Sequence, residues 1–403
     1  NYRRSRTYRP RLMDFQVSIV GGGVAGALLA LSLGKSGIRT CLIDRGKPSV
    51  KLTNPLIGRT TSLNLFSIQA LKEVGIWEDI YPQARVFDEI FVWDAEGSSS
   101  VQFNAFEIEK KELGVIVHNN IILQAIFNSL QNIPEVTLME EESLAKIFEG
   151  QNTIDLTTES GKIISSEILI GADGSLSRVR DLSKIPIRKW SYDQLAIVSS
   201  VKTTKSIGST AFQIFTDTGP IAFLPLVEGT NHASLIWSTD KSYGEKLLKL
   251  DKEALSKELR LKTEERFGEI DFCEDINSFP LHQLHAKKFY KDRTILVGDS
   301  AHTIHPLAGQ GLNLGIADVR ELSHLLASLN RYGKSMFDKE VIQTYSKKRE
   351  PESYKMIALM EAFKRGFGSE SLLIRFGRNF AFDFANRATP IKRRLIKEAA
   401  GII

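Results

Sequence analysis

One short run in this chain of 403 residues brings together several residue types that could do chemistry. Residues 298–318 read GDSAHTIHPLAGQGLNLGIAD and combine Asp299 with two histidines, a proline and four glycines, directly after the apolar TILV (294–297). Gly309, Gly311 and Gly315 precede or begin a segment that reads as a helix. Glycine at a helix start lets a ligand approach bare backbone N–H groups. The run therefore predicts a site for a group that is negative or becomes negative.

A second glycine-rich turn lies near the start of the chain. FQVSIV (15–20) reads as a buried parallel strand, and GGGVAG follows it with the G-x-G-x-x-G spacing at Gly21, Gly23 and Gly26. In this motif Gly21 allows a tight turn, Gly23 lets a pyrophosphate approach the backbone, and Gly26 lets the helix pack closely on the strand. The spacing predicts the phosphate-binding turn of a nucleotide site.

An acid at the end of the next strand completes this pattern. IRTCLID (38–44) reads as a strand and ends in Asp44, 18 residues after Gly26, where a carboxylate can accept hydrogen bonds from a ribose. Strand, helix, strand and terminal acid together predict a dinucleotide site. A glycine-rich helix start without a ligand stays open as the plainer interpretation. The fingerprint alone does not choose between FAD and NAD(P).

Two later stretches, residues 171–180 and the run at 298–318, choose between these cofactors through the family that they resemble. GADGSLSRVR (171–180) follows the strand-like EILI (167–170) and places Asp173 and Gly174 at the turn. Taken in this order and spacing, the three motifs resemble the FAD-dependent aromatic hydroxylases, the para-hydroxybenzoate hydroxylase type of flavoprotein monooxygenase. The match is closest to their ubiquinone-biosynthesis hydroxylase subfamily.

The resemblance extends from Met13 to about residue 350 and includes further segments outside the three motifs. These are GRTTSLN (58–64), LGVIVHNNIILQAI (113–126), YDQLAIV (192–198), AFQIF (211–215), TGPIAFLPL (218–226), SLIWS (234–238) and FPL (279–281). The chain departs from the family pattern at Ile57, where an aspartate is usual, and at His118, where a glutamate is common.

The resemblance implies a role for each motif in binding FAD. Asp299 is expected to hold the ribityl chain, and the backbone N–H groups of residues 311–313 are expected to face the N1–C2=O edge of the flavin, which becomes negative on reduction. Pro306 is expected against the reactive side of the ring. Arg59 and Arg180 are expected to pair with phosphate. The predicted cofactor-binding residues are Gly21, Gly23, Gly26, Asp44, Arg59, Gln124, Asp173, Gly174, Asp299, Pro306, Gly309, Gly311, Leu312 and Asn313.

The resemblance also implies an activity. It predicts an FAD-dependent monooxygenase that uses O2 to hydroxylate a phenolic, prenylated ring in ubiquinone biosynthesis through a flavin C4a-hydroperoxide, with NADPH, NADH or an external donor as the reductant. No side chain is assigned as catalytic, because the cofactor carries this chemistry. For His302 we favour a structural role over acid–base catalysis.

Other functions remain open at this point. One is a weakly active flavin-binding assembly subunit of a membrane-associated quinone-biosynthesis complex. Others are an FAD monooxygenase for a different apolar aromatic substrate and a prenyl reductase of the same fold. A flavin halogenase is disfavoured, because we find no Trp-x-Trp-x-Ile-Pro signature.

The motifs are spread along the chain, which predicts an interleaved α/β architecture. We expect a Rossmann-like FAD-binding domain, a mostly antiparallel β-sheet substrate domain and a C-terminal helical region. The aromatic pair Phe212 and Phe215 and an expected turn at Phe223-Leu224-Pro225 either line the substrate pocket or form core. The predicted limits are 13–80, 105–185 and 285–330 for the FAD-binding domain, 81–104 and 186–284 for the substrate domain, and 331–403 for the helical region.

Charge and cysteine content exclude several classes of protein. Residues 1–12 carry a net +5 and residues 341–403 a net +7, which leaves −7 for residues 13–340. A mildly acidic middle argues against a nucleic-acid partner. Cys41 and Cys273 cannot build a disulfide framework, and without a CxxC or Cys/His cluster no metal site is predicted.

The two ends of the chain raise the question of membranes. The arginine-rich residues 1–12 and the uncharged 16–34 resemble a signal peptide or anchor, but we expect a disordered leader before a natural start at Met13, because three consecutive glycines interrupt the apolar run. From Val341 on the chain is basic and phenylalanine-rich, which suits a membrane surface, partner subunits or packing on its own domain. We expect a cytoplasmic protein, and we leave attachment to the inner membrane and homo-oligomer formation open.

Overall fold

The computed structural model describes residues 13–47, 59–95, 100–304, 311–367 and 389–402, and every structural statement below concerns these ranges. The leader expected before Met13 lies outside them.

The described residues form the following strands and helices. The strands in chain order are β1 (Met13–Val20), β2 (Thr40–Ile43), β3 (Thr60–Asn64), β4 (Arg85–Phe87), β5 (Glu89–Asp94), β6 (Ser100–Asn104), β7 (Gly114–His118), β8 (Val136–Met139), β9 (Leu144–Glu149), β10 (Ile154–Thr158), β11 (Ile163–Gly171), β12 (Ile187–Thr203), β13 (Thr210–Thr216), β14 (Gly219–Pro225), β15 (His232–Asp240), β16 (Ile270–Phe272), β17 (Asn277–Ala286), β18 (Tyr290–Lys291), β19 (Thr294–Leu296) and β20 (His302–Thr303). The helices are α1 (Val24–Lys35), α2 (Leu65–Glu73), α3 (Trp77–Ile80), α4 (Asn119–Leu130), α5 (Arg178–Leu182), α6 (Lys241–Leu247), α7 (Lys252–Lys262), α8 (Gly311–Arg331), α9 (Lys339–Phe367) and α10 (Thr389–Ala399).

The nucleotide-type sheet has the order β18-β19-β11-β1-β2-β8, with β10 and β9 joined to β11. Strand β1 pairs in parallel with β2 and with β11, so that Val20 lies beside Ile43 and Gly171; β11 pairs in parallel with β19, where Gly171 lies beside Leu296. The carboxyl ends of these four strands are therefore level. In an open parallel sheet, ligands bind in the crevice beyond such an edge.

Small and branched apolar side chains explain why β1 and α1 form as they do. β1 is covered on both faces, and its Val17 and Ile19 are fully buried. α1 (VAGALLALSLGK) buries residues around most of its circumference and packs in the same core as α4 and α8. A helix that is apolar on nearly all sides belongs in the interior, between a sheet and other helices.

The larger sheet has the order β20-β17-β12-β15-β14-β13-β5-β6, with β16 also paired to β12. Its neighbours are antiparallel except β13 and β5, which run in parallel. Trp237 and Phe223 belong to a core on one face, together with Leu259 of α7, whereas Ile236 and Ala222 belong to a separate core. Successive residues of a strand point to opposite faces, so both faces of this sheet are covered.

The sequence left open whether Phe212, Phe215 and Phe223 line the pocket or form core, and in the structure they belong to the core. Phe223 stacks on Phe267 with 4.3 Å between ring centroids, and Phe212 meets the same ring edge-on at 5.1 Å. The segment Phe223–Pro225 lies inside β14 and is not a turn. We find neither Phe212 nor Phe223 among the residues that line the cavity described below.

A small antiparallel sheet has the order β3-β7-β4, and its strands lie between β2 and β8 along the chain. Thr60 on β3 is the direct partner of His118 on β7, and Arg85 on β4 is the partner of Ile116. Directly opposed residues share a face, so Thr60 and His118 point to the same side of this sheet.

Part of the basic C-terminal region packs on its own chain. α10 buries Ile396, and the Ala400 that follows it accepts a hydrogen bond of 3.0 Å from the backbone N–H of Leu65. Its Arg393 and Arg394 are exposed. The phenylalanine-rich stretch 368–388 lies outside the described residues. Among the helices of the described ranges, none is both long and apolar enough to cross a membrane.

The architecture confirms the fold class predicted from the sequence: a Rossmann-like sheet, a mostly antiparallel second sheet whose strands are interleaved with it along the chain, and C-terminal helices. The domain limits stay a prediction. Strand β20, which follows the Gly-Asp turn, pairs with β17 of the larger sheet.

We expect His285 on β17 to make the stability of the fold depend on pH. Its Nε2 lies 2.8 Å from the Oγ of Ser353 on α9, and burial, followed by the nearby His302, lowers the pKa of His285 from 6.5 to about 4. In the unfolded chain the imidazole is protonated below pH 6.5, whereas in the folded protein it is protonated only below about pH 4. The contribution of neutral His285 to the free energy of unfolding is therefore complete above pH 6.5 and is lost as the pH falls towards 4. Between these values the free energy of unfolding changes with a slope that approaches about 1.4 kcal/mol per pH unit.

Urea unfolding at about pH 7, 6 and 5 measures this slope, and His285→Gln, which keeps a polar group near Ser353, should make it shallower. Equal slopes in the parent and the variant would contradict the assignment.

Candidate active site

A cavity of about 260 Å³ lies at the level carboxyl edge of the nucleotide-type sheet. Loops that follow β1, β11 and β19 contribute to its wall, and so do the starts of α1, α4 and α8 and three residues of the larger sheet. The lining residues are Gly23, Val24, Ala25, Arg59, Thr60, Thr61, Asn119, Ala172, Gly174, Val198, Ile236, Phe279, Gly298, Asp299, Gly311, Leu312 and Gly315.

Two long helices begin at this cavity. Gly23 is the residue that precedes the first turn of α1, and α8 begins at Gly311; both line the wall. The first N–H groups of a helix have no partner inside the helix, and they carry the positive end of its dipole. The cavity is therefore suited to phosphate or to another group that carries negative charge.

Different structural constraints act on the three glycines of the G-x-G-x-x-G motif. Gly21 has a φ of +112°, and a Cβ there would lie 2.3 Å from the carbonyl oxygen of Ala172. A Cβ on Gly26 would lie 1.9 Å from the carbonyl oxygen of Gly21. A Cβ on Gly23, in contrast, would meet no protein atom within 4 Å. Packing within the protein thus requires Gly21 and Gly26, whereas Gly23 leaves space open towards the cavity.

Asp44 lies at the end of β2, as predicted, and is partly engaged by backbone. Its Oδ2 accepts a hydrogen bond of 2.5 Å from the N–H of Gly22, and its Oδ1 accepts one of 2.7 Å from the N–H of Gly46. The carboxylate therefore organises the glycine turn itself. Each oxygen keeps a second lone pair for a ribose hydroxyl.

The Asp173–Gly174 turn divides its two residues between structure and cavity. Asp173 accepts hydrogen bonds from the Ser177 hydroxyl and, at 3.0 Å, from the N–H of Val179, so it holds the start of α5. Gly174, with a φ of +82°, lines the cavity. Asp173 itself is not part of the cavity lining.

Arg180 does not take the phosphate-pairing position that its sequence suggested. The side chain is buried, and its two terminal nitrogens donate to the carbonyl oxygens of Ser300, at 3.0 Å, and Ser175, at 2.9 Å. It therefore ties the Asp173–Gly174 loop to the Gly298–Asp299 turn. Arg59, in contrast, is exposed and lines the cavity.

The remaining predicted residues separate into cavity-lining and supporting positions. Asp299 is exposed and lines the cavity together with Gly311 and Leu312. Gln124 lies on α4, where its amide donates to Asn128, and it is not part of the cavity lining. Pro306, Gly309 and the departure at Ile57 lie outside the described residues.

Asn313 acts as a clamp through its side chain. Its Oδ1 accepts from the Ser67 hydroxyl at 2.7 Å and from the N–H of Asn64 at 3.1 Å, while its Nδ2 donates to the carbonyl oxygen of Ser62 at 2.8 Å. These contacts fasten the first turn of α8 to β3 and α2. The backbone N–H groups predicted to face a flavin thus sit on a helix start that is held in place.

A buried carboxylate that the sequence did not single out organises the Gly-Asp turn. Asp318 on α8 is fully buried; its Oδ2 accepts a hydrogen bond of 3.0 Å from the N–H of Gly298 and lies 2.6 Å from Nε2 of His302, and its Oδ1 accepts one of 2.8 Å from Nε of Arg349. Burial raises the pKa of Asp318, but the contacts with His302 and Arg349 outweigh it and lower the pKa below its ordinary value.

His302 therefore has the structural role that the sequence favoured, as a buried partner of Asp318. The sequence contained a signal for this cluster, since Asp318 ends the apolar GLNLGIA and an acid on a buried helix face needs partners. Those partners could not be identified, because Arg349 lies 31 positions further on in a different helix.

The wall opposite the nucleotide loops is apolar. Val198, Ile236 and Phe279 come from β12, β15 and β17 of the larger sheet. The cavity thus joins a polar edge with the starts of two helices to a sheet face that can contact an apolar ring, a combination typical of cofactor and substrate sites.

Comparisons with known proteins agree with this geometry. A family model described as FAD binding domain matches residues 14–359. The chain is 33% identical over 390 residues to 3-demethoxyubiquinol 3-hydroxylase of Escherichia coli (strain K12), covering 96% of this chain and 98% of the relative. The chain belongs to the FAD-binding monooxygenase family.

Two further comparisons place this monooxygenase within the family and its fold. It is 29% identical over 388 residues to ubiquinone hydroxylase UbiL of Rhodospirillum rubrum, covering 96% of this chain and 90% of the relative. The crystal structure of p-nitrophenol 4-monooxygenase PnpA from Pseudomonas putida DLL-E4 matches it with a TM-score of 0.79 at 19% identity, covering 97% of this chain and 98% of that one, which shows a shared fold.

The residues of the cavity fit FAD. Two helix N-termini and the open side of Gly23 suit its pyrophosphate, and the start of α8 suits the part of the flavin that becomes negative on reduction. The resemblance predicted from the sequence is confirmed. The assignment of individual residues to cofactor contacts stays a prediction.

Two alanine substitutions in one motif should separate cofactor binding from folding. Gly23→Ala adds a methyl group in open space, so we expect the apoprotein to keep its melting temperature while FAD binding weakens roughly tenfold or more. Gly26→Ala drives a methyl group into the Gly21 carbonyl and should lower the free energy of unfolding by about 1–3 kcal/mol. Thermal melting and flavin fluorescence titration of both apoproteins measure the two effects; unchanged FAD affinity in Gly23→Ala would contradict the placement of the cofactor.

Removing the charge of Asp318 should destabilise the monooxygenase strongly. Asp318→Asn leaves Arg349 buried without a counter-charge, so we expect the free energy of unfolding to fall by about 3–5 kcal/mol. Asp217→Asn breaks the exposed pair with Lys262, 2.7 Å apart, and should cost less than about 1 kcal/mol. Urea unfolding of both variants provides the comparison, and equal losses would show that burial of Asp318 does not matter.

Proposed function

We propose that this monooxygenase hydroxylates a phenolic ring that carries an apolar prenyl chain, as one step of ubiquinone biosynthesis. The proposal is supported chiefly by the relatives named as ubiquinone hydroxylases, with which the chain aligns over 96% of its length. The apolar wall of the cavity supports it further, because Val198, Ile236 and Phe279 can contact the faces of an aromatic ring.

FAD, when bound, supplies the redox chemistry and the activation of O2. The glycine turn at Gly21–Gly26 would hold its pyrophosphate, Asp44 its ribose, and Asp299 its ribityl chain. The N–H groups at Gly311–Asn313 would stabilise negative charge on the reduced ring, since they are fixed in direction before reaction begins. We propose NADPH or NADH as the reductant; one glycine motif of the dinucleotide type suits a transient visit by the nicotinamide.

The protein's own part in the reaction is to bind, orient and exclude water. The larger sheet would position the phenolic ring beside the cofactor, and the apolar wall would keep water from the site. His302 is buried against Asp318 and is engaged in holding the Gly298–Asp299 turn. We therefore assign no acid–base role to it.

We further propose that the C-terminal region contacts an anionic membrane surface, so that the protein works at the cytoplasmic side of the inner membrane. Arg393, Arg394 and Lys397 of α10 are exposed, and Leu395 beside them is 36% exposed. Basic side chains beside apolar ones suit anionic lipid, and a prenylated substrate would reside in such a membrane.

A second candidate is a flavin-binding assembly subunit with little activity of its own. The exposed basic residues of α10 favour it, because a surface that suits lipid also suits an acidic partner subunit. The two functions differ in one observable: an assembly subunit oxidises almost no NAD(P)H in isolation, even with substrate present.

Anaerobic reduction followed by product analysis tests the proposed function. We expect the purified yellow protein to be bleached by NADPH or NADH, faster with a 2-prenylphenol than with phenol, because the prenyl chain adds apolar contact area. After air is admitted, mass spectrometry should find one added oxygen atom in the prenylphenol. Equal rates of flavin reduction with both phenols would reject the prenylated substrate. If neither NADPH nor NADH bleaches the protein, an external electron donor or the assembly role is favoured.

A further inference from the structure

Polar side chains connect the small sheet to the larger sheet directly behind the cavity wall. The hydroxyl oxygens of Thr60 on β3 and Ser234 on β15 lie 2.6 Å apart. Arg85 on β4 donates from Nη2 to the carbonyl oxygen of Gly208 at 3.0 Å, just before β13. These contacts join two sheets that belong to different parts of the fold.

His118 makes a third connection of this kind, and it is the most deeply buried of the three. It points to the same side of the small sheet as Thr60, its residue is 1% exposed, and its Nε2 lies 3.6 Å from Oε1 of Glu228 in the loop between β14 and β15. Neither ring nitrogen of His118 has a hydrogen-bond partner in the described part of the chain. A buried imidazole without hydrogen bonds is unfavourable, which leaves the charge of Glu228 as its compensation.

The charge of Glu228 is consistent with this pairing. The contact with His118 lowers the pKa of Glu228 below its ordinary value, although partial burial acts in the opposite direction. Glu228 is therefore a carboxylate at neutral pH. His232, the first residue of β15, also lowers the pKa of Glu228, by less than His118 does.

The pair is close to the cofactor cavity through the backbone. Asn119 follows His118, begins α4, lines the cavity and donates its N–H to the carbonyl oxygen of Arg59 at 2.9 Å. Arg59 and Thr60 line the same wall. Any shift of β7 relative to the larger sheet would move these residues.

We propose that His118 is a positioning residue for the FAD site: its pairing with Glu228 holds the small sheet against the larger sheet and so keeps Arg59 and Asn119 at the cavity wall. The inference depends on FAD binding, which the family shows, and not on the identity of the substrate. His118 is also one of the two positions at which the chain departs from the pattern of the enzymes it resembles.

A double-mutant cycle on FAD affinity tests the pairing. We would titrate FAD into apoprotein of the parent, His118→Gln, Glu228→Gln and the double variant, and follow flavin fluorescence. Each single variant should bind FAD roughly five- to tenfold more weakly, and the double variant should be no weaker than the weaker single one, because both changes remove the same interaction. Asp217→Asn, which breaks the exposed pair with Lys262, should change the affinity less than about twofold.

Additive losses, or an unchanged affinity in both single variants, would overturn the proposal, because two side chains that share one interaction lose it only once. Thermal melting of each apoprotein identifies a loss of affinity that comes only from unfolding. Glu228→Gln keeps the test informative if His118→Gln fails to fold, since the Glu228 side chain is 31% exposed and its amide replacement is nearly isosteric.

A charge exchange provides an independent readout that a purely structural role would not move. His118→Glu places two carboxylates together and should weaken FAD binding more than His118→Gln does. Adding Glu228→His to that variant restores a histidine–glutamate pair with the two positions exchanged, and the affinity should return to within roughly threefold of the parent. No recovery in the exchanged variant would contradict the pairing even if the cycle showed coupling.

Discussion

The cofactor side of this monooxygenase depends on one buried charge. The carboxylate of Asp318 is fully buried on α8 and receives the N–H of Gly298, the ring of His302 and the guanidinium of Arg349. A charge removed from water needs partners in good geometry, so these contacts leave little freedom to the elements that supply them. The turn after β19, the start of β20 and the long C-terminal helix α9 are fixed relative to α8 by this single group.

That constraint explains why two helices can begin at one cavity. Gly298 has a φ of +59°, and a Cβ on Gly315 would lie 3.4 Å from its Cα and 3.8 Å from the Cβ of Ala25. The Gly-Asp turn, α8 and α1 thus approach so closely that a single Cβ added at Gly315 would be in van der Waals contact with both neighbours. Asn313 fastens the same end of α8 to β3. The resulting N–H groups are directed before any cofactor arrives, which is the condition for electrostatic stabilisation without reorganisation.

The two large sheets contribute different kinds of residue to the wall of the cavity. The nucleotide-type sheet contributes loop backbone and glycines, since its strands end level at one edge. The larger sheet contributes Val198, Ile236 and Phe279 from strands that alternate between two covered faces. The small sheet connects both through Thr60 and His118, so the relative position of cofactor and substrate walls depends on polar contacts as well as on packing.

Local pattern alone predicted a strand–helix–strand unit and a dinucleotide site at its glycine turn. The βαβ unit around Gly21–Gly26 with Asp44 could be predicted because glycine spacing, apolar runs and a terminal acid are properties of neighbouring residues. The choice of FAD came from the family that the three motifs together resemble, and both that family and the fold class are confirmed. Only the tertiary structure decided which side chains line the cavity and which bind elsewhere in the protein. Arg180 donates to the carbonyl oxygens of Ser300 and Ser175. Phe223 stacks on Phe267, and Asp318 pairs with Arg349 of another helix. The physical reason is that a buried polar or aromatic group is satisfied by partners far away in the chain, and sequence spacing carries no information about which distant groups the packing brings together.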